Sequence, residues 1–237
     1  MGMEKRRLSR HKIRLTVPSI PNVPSLWVWD DPGFSSHTPR VEENEYNPKV
    51  SIVLPTYKRQ HVILRTIQTV IDQDYKNWEM FIINNEKGGV LPDLPTDPRI
   101  EVHEHYEEAN ACYARNVGLQ YVTGDLVCFF DDDDDMLPGY LKKMSAPFCD
   151  PKVMIVKCGM LSYGNKDFSY STQEAWLRKE YATPTWQKGF LAHDQVYYRG
   201  IILKNGWNKE NIVQLDEILV TAHSELQGGL RASVNGY

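Results

Sequence analysis

The chain has 237 residues, 41% of them hydrophobic and 24% charged, and carries a formal net charge of −4 at neutral pH. That length and composition suit an ordinary globular α/β domain with a sizeable core, and exclude a disordered or fibrous chain. The charge balance argues against a general nucleic-acid binder, and no apolar run is long enough to cross a bilayer.

The N-terminal segment reads as an extended arm over residues 1–48. It opens on a basic cluster (Lys5, Arg6, Arg7, Arg10, Lys12, Arg14) and continues through six prolines, with Trp27 and Trp29 between them. The cluster suits contact with an anionic surface or a solvated tail, and the two tryptophans suit packing on the body. The start contains no apolar h-region before a cleavage site. The four cysteines are scattered without a C-x-x-C pair. A reducing, cytoplasmic setting is therefore expected.

Regular structure is expected from Val50. Val50–Leu54 reads as a first strand, ended by Pro55-Thr56-Tyr57. A helix follows, with Ile63, Ile67, Val70 and Ile71 at helical spacing. Trp78–Ile83 reads as a second strand and Ile100–Val102 as a third. Residues 109–122 read as a helix ending near Gly124. Leu126–Phe130 is an apolar run with the character of a buried strand. Pro138 opens a further helix through Tyr140 and Leu141, and 152–161 reads as another strand. The later pattern is looser. Trp176 falls in a short helical stretch, Val196–Leu203 resembles a strand entering a turn at Asn205-Gly206, and Ile212–Leu226 reads as a last helix. That helix would have Ile212, Leu215, Leu219, Ala222 and Leu226 as its stripe. Strands alternating with helices imply a mainly parallel sheet with helices on both faces. The organisation expected is one compact domain over 49–237, with a nucleotide-binding half (49–145) and an acceptor-binding half (146–237).

Five aspartates in a row, Asp131–Asp135, end the apolar run. Adjacent carboxylates repel, so a fold tolerates them most easily where solvent, a cation or a positive ligand neutralises them. Two readings stand: a solvated acidic turn, or a divalent-cation site for a phosphorylated substrate. On an extended segment, Asp131 and Asp133 would face one way and Asp132 another.

Three motifs in order carry a resemblance. Val50-Ser51-Ile52-Val53-Leu54-Pro55-Thr56-Tyr57, Ala114-Arg115-Asn116-Val117-Gly118 and Asp131-Asp132-Asp133-Asp134 followed by Pro138 resemble the signature elements of family 2 glycosyltransferases of the GT-A fold. The resemblance is strong over about 49–145. It implies a metal-dependent, inverting transfer of a sugar from a nucleotide diphosphate, preferably a UDP-sugar, to an acceptor hydroxyl. The implied cofactor is Mn²⁺ or Mg²⁺, hard ions that favour carboxylate oxygens. By the same resemblance Asp133 is the main metal ligand, with Asp131 near the metal or ribose. Pro55, Thr56, Tyr57, Asn84, Asn85, Arg115, Asn116 and Asp132 line the nucleotide pocket. Lys58 or Arg59 can approach a phosphate, and Arg115 can contact either a phosphate or the aspartates themselves. Asp134 and Asp135 suit a cap on the following helix.

The chain departs from the family in one place. A pair of aspartates usually follows the second strand, and the second of them holds the uracil. Asn84 and Asn85 stand there, which leaves the donor base open. The expected catalytic base is Asp216 in Leu215-Asp216-Glu217, with Glu217 as its rival. His193-Asp194 could reach the metal or the acceptor. Trp176, Trp186 and Trp207 could stack on sugars or pack in the core. The Q-x-x-R-W motif of processive synthases is missing, so a single addition is expected. Two rivals remain: a sugar nucleotidyltransferase, disfavoured by the absence of glycine in Pro55–Arg59, and a non-catalytic carbohydrate- or nucleotide-sugar-binding module.

Overall fold

The strand β1 (Val50–Thr56) is buried along its whole length, which is what a run of Val, Ile and Leu covered on both faces by helices requires. A computed structural model describes residues 46–106, 111–163, 169–171, 175–182, 206 and 211–223. In chain order, β1 leads to α1 (Ile63–Ile71), β2 (Trp78–Asn84), β3 (Ile100–Glu104), α2 (Ala111–Gly118) and β4 (Leu126–Phe129). Then come β5 (Asp134–Met136), α3 (Tyr140–Ser145), β6 (Ile155–Tyr163), β7 (Ser169–Ser171), β8 (Ala175–Arg178) and β9 (Ile212–His223).

These strands form one sheet in the order β3-β2-β1-β4-β8-β6-β9-β5, with β7 added beside β6. The first four strands in that order are mutually parallel. Beyond β4 the sheet becomes mixed, because β8 runs antiparallel to both β4 and β6, and β5 antiparallel to β9. The architecture is therefore an α/β fold with an all-parallel N-terminal half and a mixed C-terminal half, in which β6 and β9 form the one further parallel pair among the described strands.

Helices cover both faces. On one face, α1 buries Ile63, Thr66, Ile67 and Val70, and α3 buries Tyr140, Leu141 and Met144, against Ile52, Leu54, Met80 and Cys128. Each large apolar side chain buried this way contributes roughly 1.5–3 kcal/mol. On the other face, α2 packs Ala114 and Val117 on Val53, Ile83, Val127 and Phe129. That approach is close: a Cβ on Gly118 would stand 2.3 Å from Val53 Cγ1, so only glycine fits at this turn of α2.

Three expectations are corrected. Trp176 lies in the strand β8, not in a helix. Its fully buried ring meets Tyr140 edge-on at 5.5 Å and donates from Nε1 to the Tyr140 hydroxyl at 2.9 Å, so it is a core residue. The expected helix over 212–226 is the strand β9 up to His223. Its apolar spacing imitates a helix because its register with β6 slips: Lys157 pairs with Gln214, Gly159 with Ile218 and Met160 with Val220. The extra residue between Ile218 and Val220 shifts the side-chain phase, so Leu215 before the slip, Leu219 at it, and Val220 and Ala222 after it all enter one core. Finally, Asp134 and Asp135 do not cap α3. They open β5, pairing with Ala222 and Thr221, and α3 starts after Gly139 without a side-chain cap.

Candidate active site

In the parallel part of the sheet the chain leaves β1 for β2 on one side and later returns to β4 on the other. The crevice beyond the ends of β1 and β4 is thus the switch point at which such sheets bind ligands. β1 delivers Pro55, Thr56 and Tyr57 there, and β4 delivers Phe130 and the aspartates.

The aspartates do not continue β4. Residues 132 and 133 form a turn, with the Asp134 amide donating to the Asp131 carbonyl at 3.3 Å. The alternating geometry of an extended D-x-D is therefore replaced by a curl that α1 holds in place. The Thr66 hydroxyl donates to the Asp132 carbonyl at 2.9 Å, and Arg65 Nη2 to the Asp133 carbonyl at 3.0 Å. Arg65 Nε also donates to Asp135 Oδ1 at 2.8 Å.

Two carboxylates of the turn carry resident cations. Arg59 Nη1 donates to Asp133 Oδ2 at 2.5 Å, with both side chains buried. Arg115 Nη2 donates to Asp131 Oδ1. Arg115 is only 1% exposed, and its Nε and Nη1 have no hydrogen-bond partner among the described residues. Leaving two guanidinium donors buried and unmatched is costly unless something else meets them. Asp132 is buried too, with Oδ2 lacking a partner among the described residues. Burial, with the Asp133 and Asp131 charges added, raises its carboxyl to about 7 against the pull of Thr56 and Arg59. Burial first, then the Asp131 carboxylate, also raises Asp133, while Arg59 opposes the rise.

The remaining expected residues divide by what surrounds them. Tyr57 is exposed at the crevice, as a stacking platform requires, and Lys58 Nζ lies 5.1 Å from its ring centroid. Thr56 is buried at its base, and Asn116 is half-buried on α2. Asn84 serves its own loop: Nδ2 donates to the Gly89 carbonyl at 3.2 Å, and Oδ1 accepts from the Glu86 amide at 3.1 Å. Asn85 Nδ2 donates to the His105 carbonyl at 2.7 Å. Glu217 is exposed and paired with Lys143. Asp216 sits in β9, so the helical spacing that favoured it does not apply, and its side chain lies outside the described residues. His193, Asp194, Trp186, Trp207, the strand expected over 196–203 and the arm before residue 46 lie outside them as well.

Sequence reasoning missed Arg65, Thr66 and Gln73. Gln73 bridges α1 to the start of α3, donating to the Leu137 carbonyl at 3.1 Å and accepting from the Leu141 amide at 3.2 Å. A signal existed: Thr66 on the buried side of α1 and Gln73 just past its C-terminus are polar residues at buried positions, where an unpaired polar group would be expensive.

Among the described residues no group of three or more His, Cys, Asp or Glu side chains forms a protein-only metal cage. The donor set still fits a hard divalent ion bound jointly with a diphosphate. Such ions commonly take one or two carboxylates, with phosphate and water oxygens completing the shell. Asp131 and Asp133 supply those carboxylates, and the arginines on them show that the turn demands positive charge.

The comparisons with known proteins agree with this arrangement. The model of glycosyl transferase family 2 matches residues 51–208, more than half of the chain. WcaA, a glycosyl transferase of Escherichia coli (strain K12) assigned to colanic acid biosynthesis, is 30% identical over 161 residues, 66% of this chain and 55% of that protein. The UDP-Glc:alpha-D-GlcNAc-diphosphoundecaprenol beta-1,3-glucosyltransferase WfgD of Escherichia coli is 33% identical over 90 residues, 36% of this chain and 35% of that one. The chain thus spans about half or less of the curated relatives it matches. Among solved structures, the S. aureus TarS 1-349 complex with UDP-GlcNAc aligns with a TM-score of 0.57 at 18% identity, covering 74% of this chain and 58% of that one. The mannosyltransferase PcManGT from Pyrobaculum calidifontis, in complex with GDP-Man and Mn2+, gives 0.56 at 17%, covering 74% and 57%. These two share the GT-A fold. No helix among the described residues is long and apolar enough to cross a membrane. With the motifs, the switch-point site and the family match together, the chain belongs to glycosyl transferase family 2.

Proposed function

We propose that this protein transfers a sugar from a nucleoside diphosphate donor to an acceptor hydroxyl, with inversion and without processive elongation. One observation carries the reading: a buried guanidinium, Arg115, with donors unmatched among the described residues, beside a cluster of crowded carboxylates at the β1/β4 switch point. That combination suits a ligand with phosphate oxygens for the arginine and a cation for the aspartates.

In this reading Tyr57 stacks on the base or ribose while Pro55 and Thr56 floor the pocket. Asn84 and Asn85 bound the base, Asn84 by fixing the 84–89 loop. Arg115 donates to the diphosphate and Asn116 lies on the same helix. Asp133 and Asp131 would hold Mn²⁺ or Mg²⁺. When bound, the cation supplies Lewis-acid neutralisation of the charge on the departing diphosphate. Asp216 accepts the proton of the attacking hydroxyl. A UDP-sugar is the preferred donor, as the names of WfgD and of the TarS complex suggest, with a GDP-sugar second after PcManGT. A cytoplasmic location is part of the same proposal.

A thermal-shift screen of UDP-, GDP- and other nucleotide sugars with and without Mn²⁺ tests it. Occupancy at 100 times Kd stabilises by about 2.7 kcal/mol, a shift of several degrees. Stabilisation by a nucleotide sugar that requires the cation, together with slow nucleoside diphosphate release, supports transfer. A screen without any hit removes the reading.

A further inference from the structure

The ion pair between Arg59 and Asp133 has a consequence for how the site fills. We propose that Arg59 is a resident counter-ion of Asp133 that a divalent cation must displace, and that the released guanidinium turns to the donor diphosphate, so that cation and nucleotide bind as a coupled pair. This rests on the donor reading above and adds to it an order of events and a positioning residue.

The backbone fixes where Arg59 starts. Lys58 is the one non-glycine residue with a left-handed conformation among the described residues, at φ 57°. This kink leaves Lys58 exposed over Tyr57 and turns the next side chain, Arg59, into the crevice. The Arg59 carbonyl then accepts from the Val62 and Ile63 amides at 3.0 and 3.1 Å, anchoring the residue to the first turn of α1. The main chain is thus held while the long side chain keeps its rotatable bonds.

The aspartate turn does not depend on Arg59 for its shape. Thr66 and Arg65 hold the Asp132 and Asp133 carbonyls, and Arg65 also holds Asp135. Arg59 contacts the Asp133 carboxylate, the oxygen donor the cation requires. Its departure would expose that carboxylate without dismantling the turn.

Both partners are buried, so separating them without replacement strands two charges. A cation arriving alone satisfies Asp133 and leaves Arg59 unmatched. A diphosphate arriving alone meets Arg59 and leaves Asp133 unmatched. Only the two together satisfy both sides, and linkage makes the resulting coupling reciprocal.

The test is Mn²⁺ binding to the full chain by calorimetry or electron paramagnetic resonance, with and without UDP or GDP, with no turnover required. The expected result for the unaltered protein is weak Mn²⁺ binding alone, strengthened about tenfold or more by one of the two nucleotides. Arg59→Gln, which removes the competing charge, should bind Mn²⁺ alone about tenfold more tightly and be strengthened by nucleotide less than the unaltered protein is, the phosphate oxygens still ligating the ion. Arg59→Lys keeps the charge and loses the fork, so it should gain about two- to threefold, and it serves if the glutamine variant fails to fold. Asp133→Ala should abolish Mn²⁺ binding in each background. Unchanged or weaker Mn²⁺ affinity in the Arg59 variants overturns the counter-ion role, while nucleotide-dependent binding by the unaltered protein leaves the donor reading intact. Absence of Mn²⁺ binding by the unaltered protein with either nucleotide overturns both.

Discussion

Glu79 and Asp133 are both buried carboxylates in the parallel half of the sheet, and they lie at opposite ends of its strands. At the lower end Glu79 is surrounded by donors. It accepts from the Ser51 hydroxyl at 2.5 Å, the Thr123 amide at 2.8 Å and the Gly124 amide at 3.1 Å, and it pairs with Lys49. Burial alone would raise its carboxyl, but these bonds hold it at about 2. At the upper end burial and neighbouring carboxylates raise Asp132 and Asp133 instead. The same functional group thus serves as a completed clamp in one place and as a strained, ligand-demanding cluster in the other. A protein gains stability from the first arrangement and gives some up for the second.

The largest effect expected from breaking the upper cluster is on chemistry. Asp133→Ala should reduce cation-dependent cleavage of a nucleotide sugar by about 10²–10³-fold or more, the scale seen when a key charge-stabilising group is lost. Release of nucleoside diphosphate measures it, assayed below the Tm of the variant, since losing Asp133 also leaves the buried Arg59 without its partner and lowers stability. Retained turnover would show that the cluster is not the reacting centre.

Breaking the lower clamp should do the reverse. The Glu79 carboxyl lies at about 2 when folded and near 4.5 otherwise, so its contribution is full above pH 4.5 and drains away as pH falls towards 2. Glu79→Gln should cost about 3 kcal/mol at neutral pH, flatten the acid limb of the stability curve and leave nucleotide affinity unchanged. Denaturant titrations from pH 7 to pH 2 measure both. An unaltered acid slope would contradict the clamp.

A third change tests the packing between sheet and α2, which carries Arg115. Gly118→Ala places a methyl group where Val53 already stands and should cost about 1–3 kcal/mol, with weaker nucleotide binding as α2 shifts. The smallest effect is a gain. Asp132→Asn removes a charge from a buried position without full pairing and should raise stability by about 1 kcal/mol in cation-free buffer. A loss of stability there would mean that the turn is already fully compensated.

The same contrast explains what the sequence disclosed. β1, α1, β2, β3, α2 and β4 were legible because each has one dominant periodicity and lies in a regular parallel sheet. Ile63, Ile67 and Val70 mark a helix face, and Val50–Leu54 an unbroken buried strand. Past β4 the rules compete. β9 carries slips in register that give Ile212, Leu215, Leu219 and Ala222 a helical spacing. Trp176 sits in a four-residue strand too short to show alternation. Asp134 and Asp135 look like a helix cap, yet pairing with β9 claims them.

At the site, residue identity was legible and partnership was not. Arg115 and Asp131–Asp133 stood out by type and order. That Arg59 would lie on Asp133, and that Arg65 and Thr66 would hold the turn, depends on the α1–β5 approach, which only the fold reveals. Asn84 and Asn85 stood out as a departure from the expected pair of aspartates, and the Asn84 amide proved to be engaged by its own loop.

The most direct measurement is anomalous diffraction from crystals of the protein grown with Mn²⁺ and UDP or GDP. The account predicts a manganese peak in bonding contact with the Asp133 carboxylate, beside a diphosphate contacted by Arg115. Nucleotide bound with its phosphates away from Arg115, or manganese found elsewhere with Arg59 still on Asp133, would contradict it.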